Sequence, residues 1–171
     1  MRSLATDILL GVAAGAAATW LMDLATTAMY ERQPEDLQKR EDDARGGMTA
    51  YERAADRAAE WIGGDLDEDQ RKQYGSAIHW TLGVASGAIY GALRHAVPSM
   101  RYGSGLAYGT GFWLAMDEGA NTLLGLTPSP RRFPWQTHAR GLAGHLILGG
   151  AIEVVFDAAD AITGAHRASL T

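Results

Sequence analysis

Residues 104–126, SGLAYGTGFWLAMDEGANTLLGL, constrain the fold more than any other part of the chain. The stretch is long, apolar and glycine-rich, and it carries two adjacent acids, Asp117 and Glu118, inside it. An apolar segment of roughly 20 residues can cross a bilayer as a helix. A carboxylate pair within such a segment is costly unless it faces a protein interior, a partner or water. Three other stretches of similar character, at about 4–30, 74–96 and 137–160, each carry a polar group able to reach that pair. The sequence therefore reads as all-α: four transmembrane helices in an antiparallel bundle, one membrane domain over 1–171. A polar first loop, 31–73, adds one amphipathic helix.

Composition limits the function classes. The chain of 171 residues has 15 basic and 20 acidic side chains, a net charge of −5, which argues against a nucleic-acid partner. It has no cysteine, so disulfides, thiol nucleophiles and thiolate metal sites are excluded. Mean hydropathy, −0.12, is low for a membrane protein. The polar residues between Glu31 and Lys72 account for much of that, and Ala and Gly are only mildly hydrophobic. Near the N-terminus, Arg2, the apolar run 8–14 and the small residues 16–18 resemble a secretory signal. Asp7 opens that run, however, and the apolar stretch continues to Met29, which favours a first membrane helix.

Small residues recur at helical spacing. Gly11, Gly15 and Thr19 form one such face, and Gly83, Gly87 and Gly91 form a ladder with His79 one turn earlier. Gly105, Gly109, Trp113 and Asp117 share a face of the third span, beside Gly111, Ala115, Glu118 and Thr122. Gly141, His145, Gly149, Glu153 and Asp157 make an i+4 stripe on the fourth. Small faces let helix backbones approach closely in a bilayer, so Gly83, Gly87, Gly91, Gly105, Gly109, Gly141 and Gly149 are assigned to helix packing.

Between spans one and two, 31–47 is charged and poor in large apolar residues, and reads as a mobile linker. Residues 49–62 read as an amphipathic helix. Thr49 and Glu52 form a capping-box pattern, and Gly63-Gly64 ends the run. Covering its own bundle is the preferred role. After Leu126, TPSPRRFPWQ is a rigid loop whose Arg131, Arg132 and Trp135 suit a membrane interface. His138 also reads as an interface residue.

Depth connects the ionisable positions. With a rise of about 1.5 Å per residue, Asp117 and Glu118 lie roughly 13 Å from the end carrying the long loop, His145 roughly 12 Å, Asp23 roughly 9 Å and His79 roughly 7 Å. The expectation is a cluster of Asp23, His79, Asp117, Glu118 and His145 in the loop-side half. The plainer reading is that these groups satisfy one another and fix helix register. The sharper reading is an ion site for a transition metal, or a proton relay. No H-E-x-x-H and no Glu-x-x-His pair supports a metal, so no cofactor is assigned beyond a candidate transition-metal ion. Glu153 and Asp157 lie toward the opposite end, where Asp7 joins them.

The run 79–93 (HWTLGVASGAIYGAL), WLAMDE at 113–118 with Gly125-Leu126, Phe133-Pro134 with His138, and Gly144-His145 with Ile152-Glu153 resemble the YagU-like family. The likeness covers about the last 100 residues and, loosely, the first span. It implies a small multi-pass protein of the bacterial inner (cytoplasmic) membrane, with a link to acid tolerance and no defined reaction. It names no catalytic residue.

Lys and Arg concentrate on the loop side, Arg32 to Lys72 and Arg131 to Arg140, against Arg2, Arg94, Arg101 and Arg167 opposite. That count favours cytoplasmic loops with both termini outside. The expected partners are the lipid bilayer and a second copy of the chain. The competing readings are an oligomeric membrane scaffold and a soluble Ala-rich helical bundle. No nucleophile elbow, phosphate loop or zinc motif supports an enzyme.

Overall fold

A computed structural model describes residues 2–164. It is all-helical, with no strand among the described residues. The helices are α1 (Leu4–Glu31), α2 (Glu35–Arg45), α3 (Ala50–Trp61), α4 (Glu68–Leu93), α5 (Leu106–Trp113), α6 (Asn121–Leu123) and α7 (Trp135–Thr163). A π-helical segment, Leu114–Ala120, joins α5 to α6, so the third stretch of the sequence is one rod with a widened middle. Short 3₁₀ turns at Pro98–Arg101 and Pro130–Arg132 lead into the last two rods.

Caps explain several boundaries. Ser3 Oγ accepts from the Thr6 amide at the start of α1. Thr49 with Glu52, and Asp67 with Gln70, form reciprocal capping boxes at α3 and α4, each satisfying two amides that helix geometry leaves open. The cap at Asp67 starts α4 ahead of the 74–96 expected for the second span. Gly46, at φ +70°, ends α2.

α1 packs antiparallel against α4 and α7, and α5 packs on α7, with α3 laid across α4. Glycine makes the α1–α4 approach feasible. A Cβ built at Gly87 would lie 2.1 Å from Gly11 O, and one at Gly91 would lie 2.2 Å from Asp7 O. The α5–α7 seam is similar: Gly105 and Gly109 face the backbone of Gly149 and His145. Gly83 receives the Thr19 side chain. Gly141 faces the side chains of Trp113 and Asp117 rather than another helix backbone.

The structure corrects the linker expected at 31–47, which forms α2 and is docked. Leu37 and Ala44 are buried and Glu41 has no exposed surface. Glu41 accepts from Arg45 at 2.5 Å, from Thr137 Oγ1 at 2.9 Å and from buried Arg140, whose guanidinium also lies 5.1 Å from the Tyr30 ring centroid. Apolar content alone would not hold this helix. A buried carboxylate with three donors does, and no local pattern announces it.

Large apolar side chains are distributed the opposite way. The buried hydrophobic cluster is slim: Ala14, Ala18, Met22, Tyr90, Leu148, Ile152 and Phe156. Leu9, Trp20 and Leu24 of α1, Ile89 of α4, Leu114 of the π segment, and Val154 and Ile162 of α7 point outward. Among the described residues one helix, Leu4–Glu31, is long and apolar enough to cross a membrane by length and composition, against the four spans expected. Arg167, counted for orientation, lies outside the described residues.

Candidate functional site

At the loop-side end, α3 lies over the bundle and closes its polar half. Arg57 donates to Leu124 O and Gly125 O, and Arg53 to Leu126 O and Arg45 O. These bonds cap carbonyls that α2 and α6 leave free. Arg71 Nε of α4 shares its N–H between both Asp56 carboxylate oxygens, at 2.8 Å each. Tyr51, in the first turn of α3, is thereby pressed inward until its ring centroid is 4.9 Å from that of His79. Burial, with the Asp117 and Asp23 carboxylates adding to it, pushes the Tyr51 phenol well above its ordinary range.

Four of the five residues expected to cluster form two pairs around Tyr51. His79 Nε2 lies 2.9 Å from Asp23 Oδ1, joining α4 to α1. His145 Nδ1 donates to Gly141 O at 2.9 Å and lies 3.7 Å from Asp117 Oδ2, an ion-pair distance but beyond hydrogen-bond length. A void of about 20 Å³ separates His79 from His145, with room for about one water. Glu118 does not join either pair. The π segment turns it to His138, which sequence reasoning assigned to the interface, with Glu118 Oε1 2.5 Å from Nδ1. The missed signal was spacing: His138 and His145 are seven apart on α7 and therefore share a face.

His138 has a further property. Its Nε2 is 3.0 Å from Pro130 O, so both ring nitrogens face acceptors. A neutral imidazole carries one N–H. Both hydrogen bonds are made only when the Glu118–His138 pair holds one extra proton, on the ring or on the carboxyl. The groups facing this pair are Asp117 beside it, Arg45 of α2 and Tyr51 of α3, all of which line the same cavity.

That cavity has a volume of about 270 Å³. Asp117, Glu118, Asn121 and Thr122 form one wall, Thr137, His138 and Gly141 a second, and Thr49, Tyr51 and the proline-rich loop its roof. Trp113 and Thr122 also line it, and neither Trp113 Nε1 nor Thr122 Oγ1 has a hydrogen-bond partner among the described residues. On the far side of Tyr51 an open groove of about 310 Å³ reaches Asp23, His79, Glu52 and Lys72. The polar track thus crosses the loop-side half laterally. Toward the other end lies the buried cluster that includes Leu148, Ile152 and Phe156, each without exposed surface. Among the described residues no three His, Asp or Glu side chains are grouped to hold a metal ion, so the candidate transition metal finds no ligand set.

The opposite end carries a second network. Arg94, 1% exposed, lies 3.1 Å from Asp160 and 3.7 Å from Glu153, with its guanidinium 4.5 Å from the Phe156 ring centroid. Glu153 also accepts from Arg101 at 2.9 Å and from Tyr90. Asp7 bonds Arg2 at 2.6 Å and His95 at 3.1 Å, and Arg2 reaches Asp160 at 2.7 Å. Asp157 is 3.6 Å from Arg101. Asp7 therefore connects to Glu153 through arginines, and every carboxylate here has a cation, the arrangement of a structural clamp. Arg94 and His95 were not anticipated in it.

Comparison with known proteins finds no protein-family model, no curated protein and no solved structure that matches the chain. The likeness to the YagU-like family rests on the quoted motifs alone.

Proposed function

We propose that the chain is a membrane-embedded bundle that binds protons at its loop-side His–carboxylate pairs and reports them through α3. The observation that carries the proton reading is the Glu118–His138–Pro130 chain, which completes its hydrogen bonds only with an extra proton. With the apolar cluster of Leu148, Ile152 and Phe156 between it and the opposite end, the site is read as one that takes up a proton and returns it to the same side, as a sensor does, rather than conducting it across. α3 is the element placed to respond. It has Gly46-Gly47 before it and Gly63-Gly64 after it, and it carries Tyr51 between the pairs.

The membrane part rests on the distribution of side chains. Outward-facing Leu, Ile, Val and Trp surround a slim apolar core, glycine-lined helix seams and buried charge. A belt of that kind is poorly suited to water and well suited to lipid. Multi-pass insertion in the bacterial inner membrane, the YagU-like resemblance and its link to acid tolerance belong to this proposal.

The test has two parts. Fractionation with an alkaline wash should leave the protein in the membrane pellet. Recovery as a soluble monomer would replace the membrane reading with a soluble helical bundle. Hydrogen exchange of the 46–64 segment in the purified protein should then change with pH and lose that change in Glu118→Gln and His138→Gln. Exchange that is equally pH-dependent in both variants would remove the proton reading.

A further inference from the structure

The 270 Å³ cavity has more structure than a proton site requires. Its volume is more than ten times that of the one-water void between His79 and His145, enough for a small organic molecule. Three aromatic side chains, Tyr51, Trp113 and Phe133, contribute to its walls. Two carboxylates do so as well, and they are not equally engaged. Glu118 is bonded to His138, whereas Asp117 has only the 3.7 Å approach of His145, whose Nδ1 hydrogen is already given to Gly141 O. The one guanidinium in the lining, Arg45, is spent on Glu41 at 2.5 Å. The cavity is therefore short of positive charge. It is also short of an acceptor, because the Trp113 N–H and the Thr122 hydroxyl have no partner among the described residues.

We infer that this cavity binds a small hydroxylated organic ammonium ion, with the ammonium on Asp117 among the aromatic side chains and the hydroxyl oxygen accepting from Trp113 Nε1–H or Thr122 Oγ1–H. An organic cation fits better than a metal ion. No ligand triad converges among the described residues, and aromatic walls favour ammonium groups through the negative face of the ring. A cation fits better than a zwitterion, because among the described residues no free guanidinium lines the cavity to meet a carboxylate. Gly141 keeps the site open. A Cβ there would lie 3.1 Å from Trp113 Nε1 and 3.3 Å from Asp117 Oδ2, within reach of both groups assigned to the ligand. The inference rests on the site proposed above, not on its proton chemistry.

The test is a titration of the purified full chain with ethanolammonium chloride at fixed pH and ionic strength, followed by tryptophan fluorescence and by calorimetry. Ethylene glycol, glycine and sodium chloride serve as the neutral, zwitterionic and inorganic controls. Saturable binding of ethanolammonium is expected, with no saturation by the controls. Asp117→Asn should weaken it about tenfold or more, since a charge-assisted bond is lost. Gly141→Ala, a helix-compatible change, should weaken it comparably while leaving the melting temperature near that of the parent. The inference is overturned if ethanolammonium shows no saturation, if ethylene glycol or glycine binds as tightly, or if both variants bind like the parent. Binding with pH-independent exchange of the α3 segment would retain this inference and remove the proton reading. The converse result would do the reverse.

Discussion

Replacing Gly87 by alanine tests the packing that brings the site helices together. The added Cβ would sit 2.1 Å from Gly11 O, 2.6 Å from Gly15 Cα and 2.7 Å from Gly15 N. Ordinary contact begins near 3.4 Å, so the oxygen contact alone is short by about 1.3 Å. Every atom met is backbone, so no rotamer change relieves the clash and α1 must move away from α4. Overpacking of this kind costs about 1–3 kcal/mol, and a rigid neighbour places the cost at the upper end. Moving the helices apart by about 1 Å also forfeits about a quarter to a half of each dispersion contact along the seam. Alanine returns about 1 kcal/mol of helix propensity. The net expectation is about 2–3 kcal/mol of destabilisation, or a fall of roughly 4–12 °C in Tm for a chain of this size. Gly111→Ala is the control, because a Cβ there meets nothing within 4 Å. The same substitution should stabilise at Gly111 by up to about 1 kcal/mol. Melting both variants by circular dichroism in one detergent decides the matter. If Gly87→Ala melts with the parent, or if the two variants shift in the same direction, the close approach of α1 and α4 is wrong.

Other perturbations separate the three polar assemblies. Glu41→Gln leaves Arg140 buried without its counter-ion and should cost about 3–5 kcal/mol, with faster proteolysis of 35–45 as its local signature. Arg94→Met takes one cation from each of Glu153 and Asp160, which keep Arg101 and Arg2, and should cost less, about 1–3 kcal/mol. Arg94→Lys should recover little, because a single ammonium cannot reproduce the planar contact with Phe156 or serve both carboxylates, and the melts of the two variants side by side would show it. Thr49→Ala removes half of the capping box and should cost about 1 kcal/mol, seen as faster hydrogen exchange confined to α3. Tyr51→Ala opens the wall between the cavity and the outer groove, so the accessibility of His145 to an imidazole-modifying reagent should rise with the fold retained.

The helices were legible because a small-residue face and a capping box are local patterns. Thr49 with Glu52 announced α3, and the Gly83-Gly87-Gly91 ladder marked the side of α4 that meets α1. Depth counting worked for Asp23 with His79 because both lie on uninterrupted α-helix, where rise per residue is fixed. It misplaced Glu118 for a physical reason: the π segment changes the angle per residue just where the acids sit, so 3.6-residue bookkeeping aims Glu118 along the wrong face. π segments are frequent at functional sites, and here the irregularity separates two neighbouring acids into different roles. Asp117 is left toward the cavity, and Glu118 is given to His138. α2 escaped notice because its stability comes from Glu41 meeting Arg140, 99 residues away, and no window on the sequence contains both. A regular third helix would place Asp117 and Glu118 one residue apart on adjoining faces with similar surroundings. The widened turn gives one a hydrogen-bonded partner and leaves the other with only the 3.7 Å approach of His145, and that asymmetry is what makes a ligand at Asp117 and a proton at Glu118 separable by mutation.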